Sequence, residues 1–356
     1  WLWYVDGVTP AGSCEHGKSA LNFPEGPKDA WERHKLTEDE FWSKLNPLRA
    51  KLLEEREKRI SPGRDEKMLT SWTSLMISAF VDGFKVTGEK KYLATAVKSA
   101  SFILDTLLKD GRLLRTYGRG IAKLNAYLDD YAYFIQALLD LASVDADARW
   151  FITAQNLNEF VLAHFWSAED GGFYYTSDDH EALIARTKHF YDGSTPSSSS
   201  VSVMNLIRLG RLTGKHELLE KAARTIKLYA PYVYKAPDQF SNLLCALDTY
   251  LAPAIEIALV YDSSQYDSSQ YDSAKADGAA MLSKLNEVFL PASVSIIADQ
   301  SRADYRELAA ACPLLEGRSA VDGKPSAYIC KNFTCERPIT DSEEFSSRLR
   351  QLQQEQ

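Results

Sequence analysis

The stretch Arg115-Thr-Tyr-Gly-Arg-Gly-Ile-Ala-Lys-Leu-Asn-Ala-Tyr-Leu-Asp-Asp-Tyr-Ala-Tyr-Phe-Ile-Gln-Ala-Leu-Leu-Asp-Leu-Ala142 decides the fold of this chain. Its second half has apolar residues at steps of three and four, which predicts an amphipathic helix. The residues on the apolar face are Leu124, Leu128, Tyr131, Ala132, Ile135, Leu138, Leu139 and Ala142. The first half predicts a glycine-punctuated loop that delivers Arg115, Tyr117 and Arg119 to the start of this helix.

Two acidic residues, Asp129 and Asp130, lie in the first turns of this otherwise apolar helix. Neighbouring helical residues point about 100° apart, so the two carboxylates cannot both face one pocket. We expect one of them to face a polar pocket with the loop cations. The other then caps the helix or bonds to a neighbouring helix. The alternative is a solvated helix start whose acids complement the helix dipole.

Composition excludes several classes of protein. The 356 residues are 45% hydrophobic and 25% charged, which is ordinary for a globular protein that can bury a large core. The net charge is -8 and there is no basic stripe, so we expect no nucleic-acid partner. No apolar run is long enough to span a membrane. The 7 Trp and 18 Tyr suit either stacking on sugars or a large core.

The five cysteines have neither zinc-binding spacing nor a Cys-x-x-Cys motif. Such a sparse, odd set predicts reduced thiols and an intracellular location, in the cytoplasm or an organelle lumen. Cys330 and Cys335 are close enough in sequence to pair, although their spacing does not require it. The chain opens at Trp1, so any targeting signal or upstream domain is not visible.

Helical periodicity begins at Leu36, where Thr37 and Glu40 form a capping-box signature. Further helices are predicted to start near four positions that each follow a polar loop: Leu69, Asn125, Pro196 and Gln239. More amphipathic helices with shorter connections lie between them. Repeated helix pairs with long loops on one side predict an (α/α) toroid of helical hairpins, mainly α, with a functional face.

The pattern changes after Pro253. Ile255–Val260, Val294–Ile297 and Ala327–Cys330 are strand-like, and a helix is predicted between the first two, which favours parallel pairing. We therefore predict an N-terminal arm over 1–36, the toroid over 37–252 and a small α/β unit over 253–356. An exact repeat over 261–273 predicts a disordered loop.

Five blocks of sequence resemble the spermatogenesis-associated protein 20 family and its bacterial YyaL-like relatives. The blocks are Gly17-Lys18-Ser19, Arg64 to Trp72, Leu128 to Ala132, Tyr191-Asp192-Gly193 with Pro196-Ser197, and Gly323 to Tyr328 through Asn332 to Cys335. The resemblance implies a thioredoxin-like domain joined to a helical toroid similar to N-acylglucosamine 2-epimerases and six-hairpin glycosidases.

This chain departs from the family pattern in three ways. The thioredoxin-like domain and an early toroid segment are absent, so we expect a toroid that is incomplete at its N-terminus unless another chain supplies the helices. Thr73-Ser74 stands where the family has Asn-Gly, and Ser198-Ser199 stands where it has Gly-Asn. We expect these substitutions at helix starts lining the pocket, so the site is either active or degenerate.

The resemblance places a pocket at the starts of the inner helices. It selects Asp65, Lys67, Trp72, Arg115, Tyr117, Asp129, Asp130, Tyr131, Asp192 and Ser197. Glycoside hydrolysis requires two carboxyl groups on different elements, and these aspartates come from three loops. Trp72 and Tyr131 are candidates for stacking on a sugar, and Arg115 for orienting a hydroxyl or carboxylate. The alternatives are helix capping for the aspartates and core packing for Trp72.

Sugar epimerisation needs a base tuned near neutral pH, usually His. His189 is the only histidine near a motif block, and a structural role is its alternative. The other histidines show no pairing at metal-ligand spacing, so we expect no metal and no cofactor.

Three hypotheses follow. The first is a carbohydrate-active toroid, an epimerase or isomerase or a glycoside hydrolase, with a sugar-like ligand. The second is a non-catalytic scaffold that binds a companion chain. The third is the ligand-binding half of a redox protein with an upstream thioredoxin-like domain.

Overall fold

The computed structural model describes residues 4–5, 21–22, 26–180, 184–265, 271–331 and 334–355. Cys14 and the Gly17-Lys18-Ser19 block lie outside the described residues, as do Asn332-Phe333 and residues 266–270 of the repeat. The chain divides into two compact units, Trp1–Asp65 and Glu66–Gln356. The domain boundaries inferred from the sequence at 36 and 252 stay predictions.

The first unit contains a short strand pair and two helices. Strand β1 (Tyr4–Val5) pairs antiparallel with β2 (Leu21–Asn22), and α1 (Pro27–Arg33) follows. Helix α2 (Glu38–Glu57) begins with the predicted capping box, because the Thr37 hydroxyl and the Glu40 carboxylate each accept the other's backbone N–H. Ala30, Phe41 and Leu45 form a small core.

The second unit is mainly helical, and its helices come in hairpins. The chain runs through β3 (Met68–Leu69), α3 (Thr70–Thr87), α4 (Lys90–Phe102), β4 (Leu108–Lys109), β5 (Arg112–Gly118), β6 (Ile121–Asn125), α5 (Leu128–Ala142) and α6 (Ala148–His164). It continues through α7 (Ser198–Thr213), α8 (His216–Lys235) and α9 (Ser241–Leu251). Helices α3, α5, α7 and α9 pack side by side as an inner row, and α4, α6 and α8 return on the outside. This is the predicted (α/α) hairpin architecture.

Helix α5 lies at the centre of the core. Its predicted apolar residues from Leu128 to Ala142 are buried, and Phe134 and Trp150 of α6 are fully enclosed. The prediction that Leu124 lies on the apolar face of this helix is wrong. It lies in β6 with φ 66° and is 60% exposed, because the helix starts at Leu128.

The segment expected to be a loop is a β-hairpin. Strands β5 and β6 pair antiparallel, with Gly118 opposite Ile121. The two turn residues, Arg119 and Gly120, both have positive φ, which is the geometry of a tight type I′ turn. The hairpin fixes the direction in which Arg115 approaches the start of α5.

The small C-terminal sheet has the strand order β10-β9-β7-β8. Strand β7 (Ile255–Tyr261) pairs in parallel with β8 (Ser293–Asp299) across α10 (Tyr271–Asn286), as predicted. After α11 (Tyr305–Ala311), β9 (Ser326–Lys331) pairs antiparallel with β7, and β10 (Thr334–Cys335) pairs with β9. Helix α12 (Ser342–Gln354) ends the chain.

Strand β7 is buried on both faces. Ile255, Ile257 and Leu259 join the core formed with α12, whereas Ala258 and Val260 join the core of the helical hairpins. A continuous apolar run is the pattern of a strand covered on both sides. The sheet therefore packs as a layer between the hairpin core and α12.

Candidate functional site

The starts of two inner helices, α3 and α5, are joined by one carboxylate. Asp130 is fully buried, and its Oδ1 accepts the backbone N–H of Ser71 at 2.9 Å. Its Oδ2 accepts the backbone N–H of Tyr127 and a bond from the Arg115 guanidinium, both at 3.0 Å. We expected one aspartate of the pair to cap its helix or to bond to a neighbouring helix, and Asp130 does both.

A second carboxylate joins the starts of α7 and α9. Asp192 Oδ1 accepts the backbone N–H of Ser197 and the hydroxyl of Ser200, both at 2.6 Å. Its Oδ2 accepts the backbone N–H of Asn242 at 2.8 Å. Asp192 is therefore held as a cap, the alternative role considered for the aspartates.

These contacts bring the N-termini of the inner helices to one end of the second unit. Helices α5 and α7 are linked there by the Tyr133 hydroxyl, which donates to the carbonyl of Pro196 at 2.5 Å. The N-terminus of a helix carries partial positive charge and unpaired N–H groups. This end of the molecule consequently favours carboxylates and other oxygen-rich groups.

Asp129 lies beside Asp130 but remains accessible. Its side chain is 20% exposed, and its Oδ1 lies 3.3 Å from Nη1 of Arg115, whose side chain is 23% exposed. The Tyr175 hydroxyl interacts with both Asp129 and Arg115. A carboxylate, a guanidinium and a phenol thus meet at the surface of the α5 start.

A row of aromatic rings borders this group. Tyr127 stacks on Tyr175 with ring centroids 5.2 Å apart, and on His180 at 5.0 Å. His189, which is exposed, stacks on Tyr175 at 4.1 Å. The Arg115 guanidinium lies 4.6 Å from the Tyr127 ring. The rings and the cation fix one another's positions around Asp129.

The electrostatics distinguish the two neighbouring aspartates. Burial and then the negative charge of Asp129 raise the pKa of Asp130 to about 7, against the opposing effects of Arg115 and the two backbone donors. Burial also raises the pKa of the Tyr175 phenol, followed by the charge of Asp129. Tyr175 is therefore a neutral hydrogen-bonding group at physiological pH.

Tyr131 and Ser197 do not line an open site. Tyr131 is 1% exposed and stacks on Phe160 at 5.1 Å, and its hydroxyl accepts the backbone N–H of Leu113. Burial raises its pKa to about 12. Ser197 is buried, and its hydroxyl caps α7 by accepting the N–H of Ser200. Tyr131 lies on the apolar face of α5, so its side chain is buried in the core.

Trp72 is an exposed residue. Its side chain is 66% exposed in the first turn of α3, one residue after Ser71. Core packing, the alternative considered for Trp72, is therefore wrong, because the buried face at the start of α3 is formed by the small polar residues Thr70, Ser71 and Ser74. The indole is accessible at the same end of the unit as Asp129.

The remaining candidates lie at the edge of this region or outside it. Tyr117 lies in β5, opposite Met68, and its ring packs edge-on against Phe102 at 5.1 Å. Lys67 is exposed next to Gly118. Asp65 is exposed and is the last residue of the first unit, so it lies outside the unit that carries the other candidates.

The two altered positions are at helix starts, as expected, but they are mostly buried. Ser74 is fully buried and its hydroxyl donates to the carbonyl of Thr70 at 2.7 Å. Ser198 and Ser199, in the first turn of α7, are 3% and 1% exposed. These three side chains are therefore buried, whereas Thr73 is half-buried.

One group of side chains in the described part of the chain has the spacing for a metal: His164, Asp178 and Asp179. The Asp179 carboxylate is engaged by Arg112 at 2.5 and 2.7 Å, and His164 Nδ1 lies 2.8 Å from Asp178. The contact of His164 with Asp178 and the ion pair of Arg112 with Asp179 already account for this arrangement. The absence of a metal stays a prediction.

Sequence reasoning missed Tyr127, Tyr175 and His180. Tyr127 carried a usable signal, because it immediately precedes the helix and Asp130 follows it three positions later, the spacing of a capping box. Tyr175 and His180 approach from a segment about 50 residues away in sequence, and no local pattern indicates that contact.

Among the described helices, none is long and apolar enough to cross a bilayer.

Together these features define an (α/α) hairpin protein with a polar, aromatic-lined end where the inner helices begin. No family model matches the chain. Its sequence is homologous to spermatogenesis-associated protein 20, as the motif blocks predicted. The rat protein is 27% identical over 347 residues, 94% of this chain and 42% of the relative. The human protein is 28% identical over 316 residues, 86% of this chain and 39% of the relative. The chain thus spans about two fifths of the length of these relatives.

Two solved structures each match part of this chain. A GH76 α-mannanase from Bacteroides thetaiotaomicron matches with a TM-score of 0.40 and 12% identity, over 48% of this chain and 47% of the other. A cellobiose 2-epimerase from Spirochaeta thermophila matches with a TM-score of 0.38 and 14% identity, over 46% of this chain and 43% of the other.

Proposed function

We propose that this chain binds a sugar-like ligand at the shared N-terminal end of its inner helices and catalyses proton transfer on it, as an epimerase or isomerase. The observation that carries the proposal is the accessible Asp129 carboxylate, held against Arg115 and the Tyr175 hydroxyl. Carboxylate and guanidinium groups bind hydroxyls, and aromatic rings bind the apolar faces of sugars.

The supply of acid and base groups favours proton transfer over glycoside hydrolysis. Hydrolysis needs two available carboxyl groups about 5 to 10 Å apart. Asp130 is enclosed and Asp192 is committed to helix caps, so Asp129 lacks an evident carboxylate partner among the described candidates of this unit. His189 is exposed and stacks on Tyr175, and imidazole is the side chain that most often acts as a general base.

In this proposal His189 removes the proton next to the carbonyl of an open-chain sugar, which gives an enediolate. Addition of a proton from water to the same carbon from the other face gives the epimer. Return of the proton from His189 to the neighbouring carbon gives the isomer, as the proton of the C2 hydroxyl moves to the oxygen of the former carbonyl. The guanidinium of Arg115 stabilises the negative charge on the enediolate oxygen. Asp129 and Tyr175 orient hydroxyls, and Trp72 covers a sugar face.

The test is proton NMR in deuterated water with free and N-acetylated sugars, using both this chain and the full-length protein. We expect loss of the C2 proton signal for at least one sugar. His189→Gln and Asp129→Asn should each lower the exchange rate about 100-fold or more, and His34→Gln, in the first unit, is the matched control. Bond cleavage without C2 exchange would favour a hydrolase. The absence of both exchange and cleavage would contradict the catalytic proposal.

A second candidate is a partner-binding subunit, supported by the exposed face of α3. Trp72, Met76 and Val86 lie on one side of this helix and are 66%, 52% and 85% exposed. Such a stripe suits a companion helix, from another chain or from an upstream thioredoxin-like domain. Light scattering tests it, and a monomer that remains well folded at micromolar concentration would argue against it. An intracellular location is part of both proposals.

A further inference from the structure

Cys330 and Cys335 form a disulfide at the edge of the C-terminal sheet. They lie directly opposite each other on the antiparallel strands β9 and β10, with Cα atoms 3.9 Å apart. The sequence left the pairing of these two cysteines open, and strand pairing brings them together, so this pair departs from the reduced thiols expected of the set.

The two sulfur atoms have different environments. Cys330 is fully buried, whereas Cys335 is exposed. Nη2 of Arg318 lies 3.1 Å from Sγ of Cys330 and 2.7 Å from Sγ of Cys335. A guanidinium this close stabilises a thiolate on either sulfur.

Arg318 is held in place by the surrounding side chains. Its carbonyl accepts the Tyr305 hydroxyl at 2.9 Å, and its guanidinium lies 5.7 Å from the ring of Tyr328. The two unpaired cysteines of the described residues are Cys245, which is exposed on α9, and Cys312, which is buried. Burial raises the pKa of Cys312 to about 12, although the charge of Arg318 opposes this. The guanidinium of Arg318 lies within hydrogen-bond distance of both paired sulfurs.

We propose that Cys330 and Cys335 are a thiol–disulfide exchange site for an external dithiol or disulfide, with Cys335 as the sulfur that reacts first. The inference is independent of the proposed sugar chemistry. The accessible sulfur defines where a partner attacks, and the guanidinium defines where the displaced electron pair goes.

Reduction proceeds in two balanced steps. A thiolate of the external dithiol attacks Sγ of Cys335, the S–S bond breaks, and its electron pair goes to Sγ of Cys330, which leaves as a thiolate beside Arg318. The second thiolate of the partner then attacks the partner's sulfur atom in the mixed disulfide. The bond to Cys335 breaks, and Cys335 is released as a thiolate. The partner is oxidised to a disulfide, and oxidation of the site is the reverse.

The experiment measures reduction of the disulfide by dithiothreitol, quenched with N-ethylmaleimide and counted by intact mass. Arg318→Gln should lower the rate at pH 7 roughly three- to tenfold, because the leaving thiolate loses its cation. Arg318→Lys should keep most of the rate. Cys245→Ser, which removes an exposed unpaired thiol, should leave the rate unchanged.

Single-cysteine variants test the order of attack. With oxidised glutathione, Cys330→Ser should form a mixed disulfide at Cys335, and Cys335→Ser should form one at Cys330 much more slowly. Equal adduct formation would overturn the proposal, and so would a pair that stays reduced in excess oxidised glutathione. An unchanged rate in a folded Arg318→Gln would do the same. If Arg318→Gln does not fold, the cysteine variants still decide.

Discussion

Asp192 Oδ2 accepts the backbone N–H of Asn242 at 2.8 Å, which ties the loop before α7 to the first turn of α9. Its other oxygen accepts the backbone N–H of Ser197 at the start of α7. A side chain that caps two helices at once holds their ends at a fixed separation. Asp130 does the same for α3 and α5.

Removing the Asp192 carboxylate should therefore cost more than removing an ordinary cap. We expect Asp192→Ala to lower the free energy of unfolding by about 2 to 4 kcal/mol, because N–H groups of two helices lose their acceptor. The matched control is Asp341→Ala, which caps α12 alone through the N–H groups of Glu343 and Glu344 and should cost about 1 kcal/mol. Urea denaturation measures both, and equal losses would contradict the double-cap role.

The stability contributed by Asp130 should depend on pH in a defined direction. Its folded pKa of about 7 lies above the ordinary value of 3.8, so the folded state binds the extra proton between these values. The contribution is therefore fully present below about pH 4 and is lost as the pH rises to 7. The difference in unfolding free energy between wild type and Asp130→Ala should shrink over this range, whereas the cost of Ser74→Ala should stay constant. A difference that grows with pH would show that the carboxylate is favoured in its charged form.

Trp72 should matter for ligand binding and little for stability. It is 66% exposed, so Trp72→Ala should change the free energy of unfolding by about 0.5 kcal/mol or less. The same substitution at Trp150, which is fully buried, should cost about 3 to 5 kcal/mol. Calorimetric titration with any sugar found by NMR should give a Kd roughly three- to tenfold higher for Trp72→Ala. An unchanged Kd would remove Trp72 from the site.

The turn before the aromatic row depends on glycine at residue 172. Its φ is +72°, and a Cβ there would lie 2.9 Å from both the Leu228 side chain and the Tyr229 hydroxyl. Gly172→Ala should cost about 2 to 4 kcal/mol from strain and overpacking. Gly214 has φ +68° and open space around it, so Gly214→Ala should cost about 1 to 2 kcal/mol from strain alone. Thermal unfolding of the pair separates the two effects, and equal shifts in Tm would rule out the packing contribution.

The helical hairpins could be predicted because burial repeats with helical spacing in the sequence. Helix α5 followed its apolar stripe closely. The buried face of α3 could not be predicted in the same way. Near the start of this helix it is made of small residues such as Ser71 and Ser74, while the large Trp72 and Met76 face outwards. Small residues let helices approach closely, and hydrophobicity alone does not mark them.

The site was predictable only in part. The stretch from Arg115 to Asp130 contains its own signal, since a cation and two acids precede an apolar helix. The roles of the two acids follow from which one the neighbouring helix covers, and that is a tertiary property. Tyr175 and His189 come from a segment whose return to the α5 start no periodicity describes.

The pairing of helix starts has a consequence for how this chain can be divided. Asp130 binds the first two inner helices together and Asp192 binds the next two, so a cut within either pair leaves exposed donors at a helix end. A cut between α6 and α7 leaves both carboxylates with all of their helix partners. We therefore expect the smallest modular piece that can be transplanted or duplicated to contain two inner helices joined by one carboxylate, together with the outer helix between them.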